Sequence, residues 1–473
     1  MKVMFINPQG NFDKEDSHLT EHPDFGGQLI YVKEVAMALS EIVDVDIVTR
    51  RIIDDDWPKF SEKIDYFPGY NNLRIVRIPF GGDKFLKKED LWEHIPEFVN
   101  NIISFYENEF PEFATAHYAD GGYAVALLKK ITGINFTFTG HSLGAQKLDK
   151  LNMNLKNYEL LNNTYCFNKR IAAERLSIKY ASKIITSTSQ ERLEQYSHPL
   201  YFDSAEIKND QKFSIIPPGV NEKIFNCNYD FNELEQNTIV KIEKIVENSN
   251  KKPFIILSSR LDEKKNHFMA VKAYVNSKKL QKKANFAIFL RNIKNPYDLD
   301  SLMDSEKKIL KPIIELITEN NLQDNFFFFD LRSQLELATA YKYFAKLKSV
   351  FLLTAYYEPF GLAPIEAGAC GLAVVATKNG GPQEIFEDGS GLLVDPENPS
   401  DISQKLMITI NNFDYFSKKI INRVKEKYTW KKTAEGYLKI IEKSFLPMSK
   451  IDENISELNA ESLIKNYLRK AIP

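Results

Sequence analysis

Two glutamates eight positions apart, Glu358 and Glu366, are the side chains whose placement most favours chemistry. An apolar run at residues 349–353 precedes them and predicts a buried strand. Glu358 then falls on the loop at the carboxyl end of that strand, the edge where open α/β sheets bind ligands, and Glu366 on the second turn of the next helix. The helix start offers amide groups to a phosphate, which leaves both carboxylates to accept sugar hydroxyls. The alternative is an ordinary strand–loop–helix unit with solvated glutamates.

A second charged loop follows another predicted strand, residues 254–258, and contains Arg260 and Lys265. An arginine and a lysine five positions apart on one loop can converge on a diphosphate, because arginine supplies a fork of donors and lysine a point charge. Lys264 adjoins Lys265, so the spacing alone leaves open which lysine faces inward. The alternative is a solvated cluster of charges.

Glycine-bearing loops mark the corresponding sheet edge in the first half of the chain. Residues 7–10 follow the first predicted strand, and Gly26 and Gly27 precede an amphipathic helix. Glycine lets a backbone approach a ligand closely, and a helix start favours an anion. Two further loops rich in hydrogen-bond donors lie at residues 81–88 and 117–122. A plain glycine turn is the alternative at each position.

One motif points to a different class of enzyme. Residues 140–144, Gly-His-Ser-Leu-Gly, match the nucleophile elbow of α/β-hydrolases and follow a predicted strand. A serine hydrolase also needs a later acid and then a histidine, and only His198 and His267 follow Ser142. Neither histidine has a distinctive context, and this interpretation gives the second half of the chain no role. A serine hydrolase therefore stays a remote alternative.

Bulk properties narrow the class. The 473 residues carry 62 basic and 64 acidic side chains, a net charge of −2 that predicts no nucleic-acid partner. No run reaches about 18 consecutive apolar residues, and the chain opens on a short strand pattern, so neither a membrane span nor a signal peptide is predicted. The cysteines, Cys166, Cys227 and Cys370, have no disulfide or metal spacing. These features favour a cytoplasmic protein.

Strand and helix patterns alternate along the chain, which predicts an α/β fold with two doubly wound, Rossmann-like domains facing a central cleft. We expect strands at residues 3–6, 45–49, 74–78, 113–116, 136–139, 183–186 and 214–216, then 254–258, 286–290, 326–329, 350–353, 374–376 and 392–394. The expected domains are residues 1–218 and 219–445. Residues 446–473 are expected to pack back on the first domain.

Taken together, residues 7–27, 140–147, 260–265 and 358–366 resemble the bacterial sucrose-phosphate synthases, retaining GT-B glycosyltransferases with a Glu-x7-Glu motif. The resemblance extends from the first strand through Trp430. Its most specific strings are residues 21–28 and 136–147, because many glycosyltransferases share the two glutamates alone. The match implies a minimal synthase without the phosphatase-like extension of plant and cyanobacterial relatives.

The resemblance implies transfer of glucose from UDP-glucose to fructose 6-phosphate with retention, giving sucrose 6-phosphate and UDP. No cofactor or metal is expected to be required, and Mg²⁺ would at most stimulate. The family's usual mechanism is front-face displacement, in which a donor phosphate oxygen accepts the proton of the incoming hydroxyl. The implied partners are the two small-molecule substrates, with no nucleic acid and no membrane.

The same resemblance implies that residues 1–218 bind the acceptor and that residues 219–445 bind the nucleotide sugar. It also implies roles for individual residues. Catalysis would involve His141, Glu358, Arg260 and Lys265. Donor binding would involve Gly27, Arg260, Lys265, Leu331, Arg332, Glu358, Phe360, Gly361, Leu362 and Glu366. Acceptor binding would involve Gly26, Gln28, Lys88, Tyr118, Ser142, Lys147, Lys169 and Arg170. The cations of this last set favour a phosphorylated acceptor.

Other functions stay open at this point. A sucrose synthase would use free fructose as its acceptor. A mannosylfructose-phosphate synthase would use nearly the same acceptor loops, and the residues around the donor hydroxyls do not separate glucose from mannose. The nucleotide base is equally open, because the expected contacts to it are made by backbone groups. A non-catalytic sugar-phosphate sensor would need neither Glu358 nor Arg260.

Overall fold

The computed structural model describes residues 1–17, 24–107, 109–247, 249–444, 447, 449–455 and 457–470. Its strands are β1 Lys2–Ile6, β2 Asp44–Arg50, β3 Ile64–Tyr66, β4 Leu73–Ile78, β5 Phe113–His117, β6 Asn135–Thr139, β7 Lys183–Thr186, β8 Phe213–Ile215, β9 Phe254–Ser258, β10 Asn285–Leu290, β11 Phe326–Asp330, β12 Val350–Leu353, β13 Ala373–Thr377 and β14 Leu392–Val394. Its helices are α1 Gly27–Ser40, α2 Ile95–Tyr106, α3 Tyr118–Thr132, α4 Gly144–Lys150, α5 Tyr158–Tyr165, α6 Phe167–Tyr180, α7 Phe202–Ala205, α8 Glu233–Val246, α9 His267–Val275, α10 Lys278–Lys283, α11 Asp304–Glu319, α12 Gln334–Lys346, α13 Leu362–Ala369, α14 Pro382–Ile385, α15 Pro399–Asn411, α16 Phe413–Lys427, α17 Trp430–Lys443 and α18 Glu461–Lys470.

The chain divides into two compact units. The first unit comprises Met1–Pro217 and Trp430–Pro473, and the second comprises Pro218–Thr429. Every one of the expected strands is confirmed to within about two residues at each end. The sequence analysis missed only β3 among the described strands; β3 is a three-residue edge strand with partly exposed side chains. Such a strand shows little apolar patterning.

The first unit is built on an eight-stranded sheet in the order β3-β4-β2-β1-β5-β6-β7-β8. All neighbours pair in parallel except β3 with β4. Parallel strands are covered on both faces, and the residues of β1, β5 and β6 are accordingly buried along almost their whole length, polar side chains included. The strand order reverses between β1 and β5, so the loops after these two strands meet at a topological switch point, where such sheets bind ligands.

The second unit contains a six-stranded parallel sheet in the order β11-β10-β9-β12-β13-β14. Apolar clusters cover both faces, one including Phe254 and Phe351, the other including Ile255 and Leu352. Here the order reverses between β9 and β12. This places the loop carrying Arg260 beside the loop carrying Glu358.

The expected boundary at residue 445 is wrong, because helix α17 belongs to the first unit. Trp430, Ala434, Tyr437 and Ile441 form a buried face of α17, in the same apolar cluster as Leu29 of α1. The Tyr437 hydroxyl lies 3.1 Å from that of Tyr31 in α1. An amphipathic helix must bury its apolar face, and the face of α17 is buried against α1.

The last described helix, α18, also contributes to the core of the first unit. Ile464 and Leu468 are buried together with Ile451 and Ile455 from the preceding segment. Tyr467 donates a hydrogen bond to Asp149 of α4 over 2.9 Å. Among the described residues, no helix is both long and apolar enough to cross a bilayer.

Candidate active site

The switch point of the second unit brings two of the predicted charged residues together. Lys265, on the loop after β9, forms a 2.7 Å ion pair with Glu358, on the loop after β12. A further hydrogen bond, from the Tyr356 amide to the Lys264 carbonyl over 2.9 Å, joins the two loops through their backbones. The structure therefore turns Lys265 towards Glu358, whereas the Lys264 side chain is exposed.

Two glycines that the sequence analysis did not single out hold the Glu358 loop. Gly380 pairs with Glu358 in an isolated bridge, and the Gly381 amide donates to the Glu358 carbonyl over 2.9 Å. A β-carbon on Gly380 would lie 2.1 Å from the Glu358 carbonyl oxygen, and one on Gly381 would lie 2.3 Å from that of Phe360. Gly380 also has a left-handed φ of +99°. Only glycine permits this close approach of two backbones.

The start of α13 is placed as the motif predicts. Gly361 caps the helix with φ +116°, Phe360 is buried, and Leu362 is 40% exposed. As at any helix start, the first amides lack intrahelical acceptors, so they are suited to an anion. Glu366 is partly buried on the second turn, as expected.

Arg260 lies on the loop after β9 and is exposed. Within the described part of the chain its guanidinium has no hydrogen-bond or ion-pair partner. All five of its donors are thus available to a ligand. Lys265, by contrast, already has an ion-pair partner in Glu358.

The loop after β11 limits how a nucleotide base could bind there. The Leu331 amide donates to the Leu290 carbonyl over 3.0 Å, and the Arg332 amide donates to Glu336 over 2.7 Å. The Arg332 side chain is held by Asp330, at 2.7 Å and 3.0 Å. Any backbone contact from Leu331 or Arg332 to a base must therefore use their carbonyl groups.

The first unit contains a small pocket, open to solvent, on its switch-point side. It brings together four of the predicted acceptor-binding residues: Lys88, Tyr118, Lys147 and Arg170. Its remaining lining residues are Gln9, Glu89, Trp92, Asp120 and Tyr165. Three cations converging on one small pocket suit a phosphate group.

Two of these cations have carboxylate partners. Lys88 forms a 2.9 Å ion pair with Asp24; burial would lower the pKa of Lys88, but this ion pair outweighs burial and raises it. Arg170 contacts Glu174 at 3.0 Å and donates to the Ser142 carbonyl over 2.6 Å. Burial likewise opposes the charge of Arg170, and Glu174 more than offsets it, so that the pKa of Arg170 is raised. Both cations keep their charge at neutral pH.

Lys147 differs from the other two cations. Its ammonium group lies 3.8 Å from the centre of the Tyr165 ring, and it has no carboxylate partner among the described residues. Burial, followed by the positive charges of Arg170 and Lys88, lowers the pKa of Lys147 to about 8. A bound phosphate would supply the missing negative charge.

Asp120 was not predicted as a site residue, although it lies in the flagged loop 117–122. Its Oδ1 accepts the Gly121 amide over 2.9 Å, and its buried Oδ2 has no hydrogen-bond partner among the described residues. Burial raises the pKa of Asp120 to about 7. Gln9, in the flagged loop 7–10, is similarly buried with an unpaired Oε1. Both oxygens are suited to accept hydroxyl groups of a ligand.

Other predicted acceptor-binding residues lie outside this pocket lining. Lys169 does not line this pocket, and its ammonium group pairs with Glu93, so its role in acceptor binding stays a prediction. Gly26, Gly27 and Gln28 lie at the start of α1, where the Gln28 amide nitrogen is buried without a partner among the described residues. Residues 21–23 of the specific string 21–28 fall outside the described residues.

His141 follows β6 and has a left-handed φ of +56°. Its Nε2 lies 3.0 Å from Nδ1 of His117, and the Tyr31 ring packs edge-on at 4.9 Å. Burial lowers the pKa of His141 to about 3, so its ring is neutral. A backbone held in a sparsely populated region is common at functional sites.

This geometry does not support a serine hydrolase. The Ser142 hydroxyl has Arg170 as its partner, at 3.5 Å, and no imidazole among the described residues. His141 is hydrogen-bonded to His117 instead. A nucleophilic serine needs a neighbouring base that can take its proton.

Comparison with known proteins identifies the family. A family model described as "Sucrose synthase first GT-B domain" matches residues 1–248, and one described as "Glycosyl transferases group 1" matches residues 239–427. A probable sucrose-phosphate synthase of Thermosipho melanesiensis is 46% identical over 451 residues, which cover 94% of this chain and 97% of that protein. The chain belongs to the sucrose-phosphate synthase family. This is the family that the motifs resemble, so that expectation is confirmed.

Plant members of the sucrose-phosphate synthase family are longer. Sucrose-phosphate synthase 1 of Arabidopsis thaliana is 32% identical over 94% of this chain, which spans only 48% of that protein's length. Such members carry about as much sequence again beyond the region shared with this chain.

Solved structures confirm the GT-B fold. A sucrose-phosphate synthase from Thermosynechococcus elongatus has a TM-score of 0.65 at 20% identity, covering 94% of this chain and 99% of the other. Anabaena Alr3699/HepE in complex with UDP has a TM-score of 0.62 at 14% identity, covering 94% and 100%. Among the described residues, no group of three or more His, Cys, Asp or Glu side chains could hold a metal ion.

Proposed function

We propose that this protein transfers glucose from UDP-glucose to fructose 6-phosphate with retention, giving sucrose 6-phosphate and UDP. The observation that carries the proposal is the pocket of Lys88, Lys147 and Arg170 in a glycosyltransferase of the sucrose-phosphate synthase family. Removing three cations from water is unfavourable, and an uncharged sugar would not offset this desolvation. A sugar phosphate neutralises them.

The second unit would bind the donor. Arg260 and Lys265 would neutralise the diphosphate as it departs, since charge develops on this leaving group in the transition state. Glu358, held by the backbones of Gly380 and Gly381, would accept a hydroxyl of the transferred glucose. Glu366 would accept hydrogen bonds from the ribose hydroxyls. The amides of residues 360–362 would contact sugar or phosphate.

The first unit would bind the acceptor. Lys88, Lys147 and Arg170 would hold its phosphate, with Asp120 and Gln9 accepting sugar hydroxyls. In a front-face displacement, the bond from the anomeric carbon to the phosphate oxygen breaks as the bond to the ketose hydroxyl oxygen forms. The hydroxyl proton passes to an oxygen of the departing UDP. His141 would hydrogen-bond the glucose beside this centre.

The experiment that tests the proposal is a grid of donors and acceptors read by product mass and anomeric configuration. UDP-, ADP-, GDP-glucose and GDP-mannose are each offered with fructose and with fructose 6-phosphate. We expect sucrose 6-phosphate from UDP-glucose and the phosphorylated ketose, and little product from free fructose. Equal rates with free fructose would instead indicate a sucrose synthase, and preferred transfer of mannose a mannosylfructose-phosphate synthase. Release of no nucleoside diphosphate in any combination would refute a hexosyltransferase acting on fructose 6-phosphate.

A further inference from the structure

Three side chains at the ends of β5 and β6 form a continuous series of hydrogen bonds. Thr115 Oγ1 lies 3.0 Å from His117 Nε2, and His117 Nδ1 lies 3.0 Å from His141 Nε2. Thr115 and His117 have no exposed surface, and Phe5 stacks on the His117 ring at 5.4 Å. The heavy atoms are thus fixed, and only the placement of the protons remains to be derived.

The Thr115 hydroxyl decides that placement. Among the described residues its only hydrogen-bond partner is His117 Nε2. A buried hydroxyl proton without an acceptor is more costly than an unused oxygen lone pair, so the hydroxyl donates to Nε2. His117 Nε2 then carries no proton, and the proton of this neutral ring lies on Nδ1, from which it is donated to His141 Nε2.

The position of the proton on His141 follows from its hydrogen bond with His117. Burial lowers the pKa of both histidines, that of His117 well below its ordinary value, so both rings are neutral. Because His141 Nε2 accepts a hydrogen bond from His117 Nδ1–H, the single proton of the neutral His141 ring lies on its own Nδ1. Among the described residues this nitrogen has no hydrogen-bond partner, so its proton is available to a ligand.

We propose that Thr115 and His117 are positioning residues that fix His141 as a neutral Nδ1–H donor to the transferred hexose. This inference rests on the proposed function, in which His141 contacts that sugar. A neutral donor can orient a sugar hydroxyl without placing a positive charge next to the anomeric carbon, where positive charge develops. An imidazolium at the same position would oppose that charge.

The first test measures the tautomers directly and needs no substrate. The full-length protein is labelled with ¹⁵N-histidine, and the ring signals of His117 and His141 are assigned by their loss in His117→Gln and His141→Gln. We expect both rings to be neutral at pH 7.5, with the proton on Nδ1. A proton on Nε2 of His141 would overturn the inference, even in a fully active transferase. The expected tautomer in a protein without transferase activity would leave the inference standing and reject the proposed function.

The second test uses the strand partner of Thr115 as a control. Thr137 lies directly opposite on β6, is equally buried, and its hydroxyl has no partner among the described residues. We expect Thr115→Val to lower kcat about ten-fold, to leave the acceptor KM unchanged and to give a mixture of His141 tautomers. Thr115→Ser should restore both kcat and the tautomer, and Thr137→Val should change neither. Equal losses in Thr115→Val and Thr137→Val, or none in Thr115→Val, would contradict the inference.

Discussion

The Glu358 loop of the second unit and the cationic pocket of the first unit are built by different means. Backbone contacts hold the Glu358 loop: glycines lie against carbonyl groups, and an ion pair joins two loops that the sheet order makes neighbours. The pocket is made by side chains from five separate segments, whose charges are balanced by buried carboxylates or left unbalanced. The loop is therefore expected to be sensitive to steric changes, and the pocket to changes of charge.

The largest effect is expected from removing the charge of Glu358. Glu358→Gln loses the carboxylate that accepts a donor hydroxyl and leaves Lys265 without its ion-pair partner. We expect kcat to fall by about 10²- to 10³-fold, the range for loss of one charge-stabilising group. UDP affinity, measured by calorimetry, should change little. The control is Glu263→Gln on the neighbouring loop, whose partner Lys308 is exposed. Wild-type turnover in Glu358→Gln would contradict the assigned role.

A purely steric change should come next. Gly380→Ala places a methyl group 2.1 Å from the Glu358 carbonyl oxygen, so the loop must shift. A displacement of about 1 Å can cost about 10²-fold in rate. Gly389→Ala is a matched control, because Gly389 also has a positive φ but meets only the flexible end of Lys419, at 3.4 Å. Similar kcat losses in the two variants would show that backbone strain, rather than the clash, is responsible.

In the pocket, a change of charge should act on the acceptor alone. Lys147→Met keeps most of the volume and removes a charged hydrogen bond to phosphate, worth about 1.5–3 kcal/mol. We expect the KM for fructose 6-phosphate to rise about 10- to 100-fold, with the KM for UDP-glucose nearly constant. Lys169→Met, which removes a cation outside the pocket, should have little effect on either constant. A rise in the donor KM instead would show that the two units have been assigned the wrong substrates.

The smallest effect is expected from pH. The pKa of Lys147, about 8, would be raised by bound phosphate, so acceptor affinity is full below that pKa and is lost as pH rises through it. Between pH 7 and 9 we expect kcat/KM for fructose 6-phosphate to fall about ten-fold, while that for UDP-glucose changes less. Asp120→Asn should reduce the change in kcat/KM for fructose 6-phosphate near pH 7, where the Asp120 carboxyl ionises because burial raises its pKa to about 7. A profile identical for both substrates would contradict this account.

The sequence predicted the Glu358 loop better than the pocket, for a physical reason. Lys265 follows β9 and Glu358 follows β12, and a doubly wound sheet places the loops after such strands at one edge. The glycines that hold the loop, Gly380 and Gly381, follow a different strand, and nothing local marks them as its support. Their only signal is an adjacent glycine pair after an apolar run.

The pocket was predicted in part because its residues are far apart in the chain. The resemblance implies Lys88, Lys147 and Arg170 as cations that bind the acceptor, but which face of α6 is buried cannot be read from charge alone. Of the two neighbours Lys169 and Arg170, Arg170 is buried and lines the pocket, whereas Lys169 is partly exposed and pairs with Glu93. Asp120 and Gln9 carry no distinctive spacing, and their role follows only from burial without a partner.

The return of the chain to the first unit has a consequence for synthesis on the ribosome. Residues 218–429 form a compact unit of their own, whereas in the first unit α17 covers Leu29 and α18 contributes Ile464 and Leu468 to the core. The second unit can therefore fold before the first unit is complete. Part of the apolar surface of the first unit stays exposed until residues 430–470 have been synthesised. A fragment ending at Pro217 should be prone to aggregation, while residues 218–429 should fold alone.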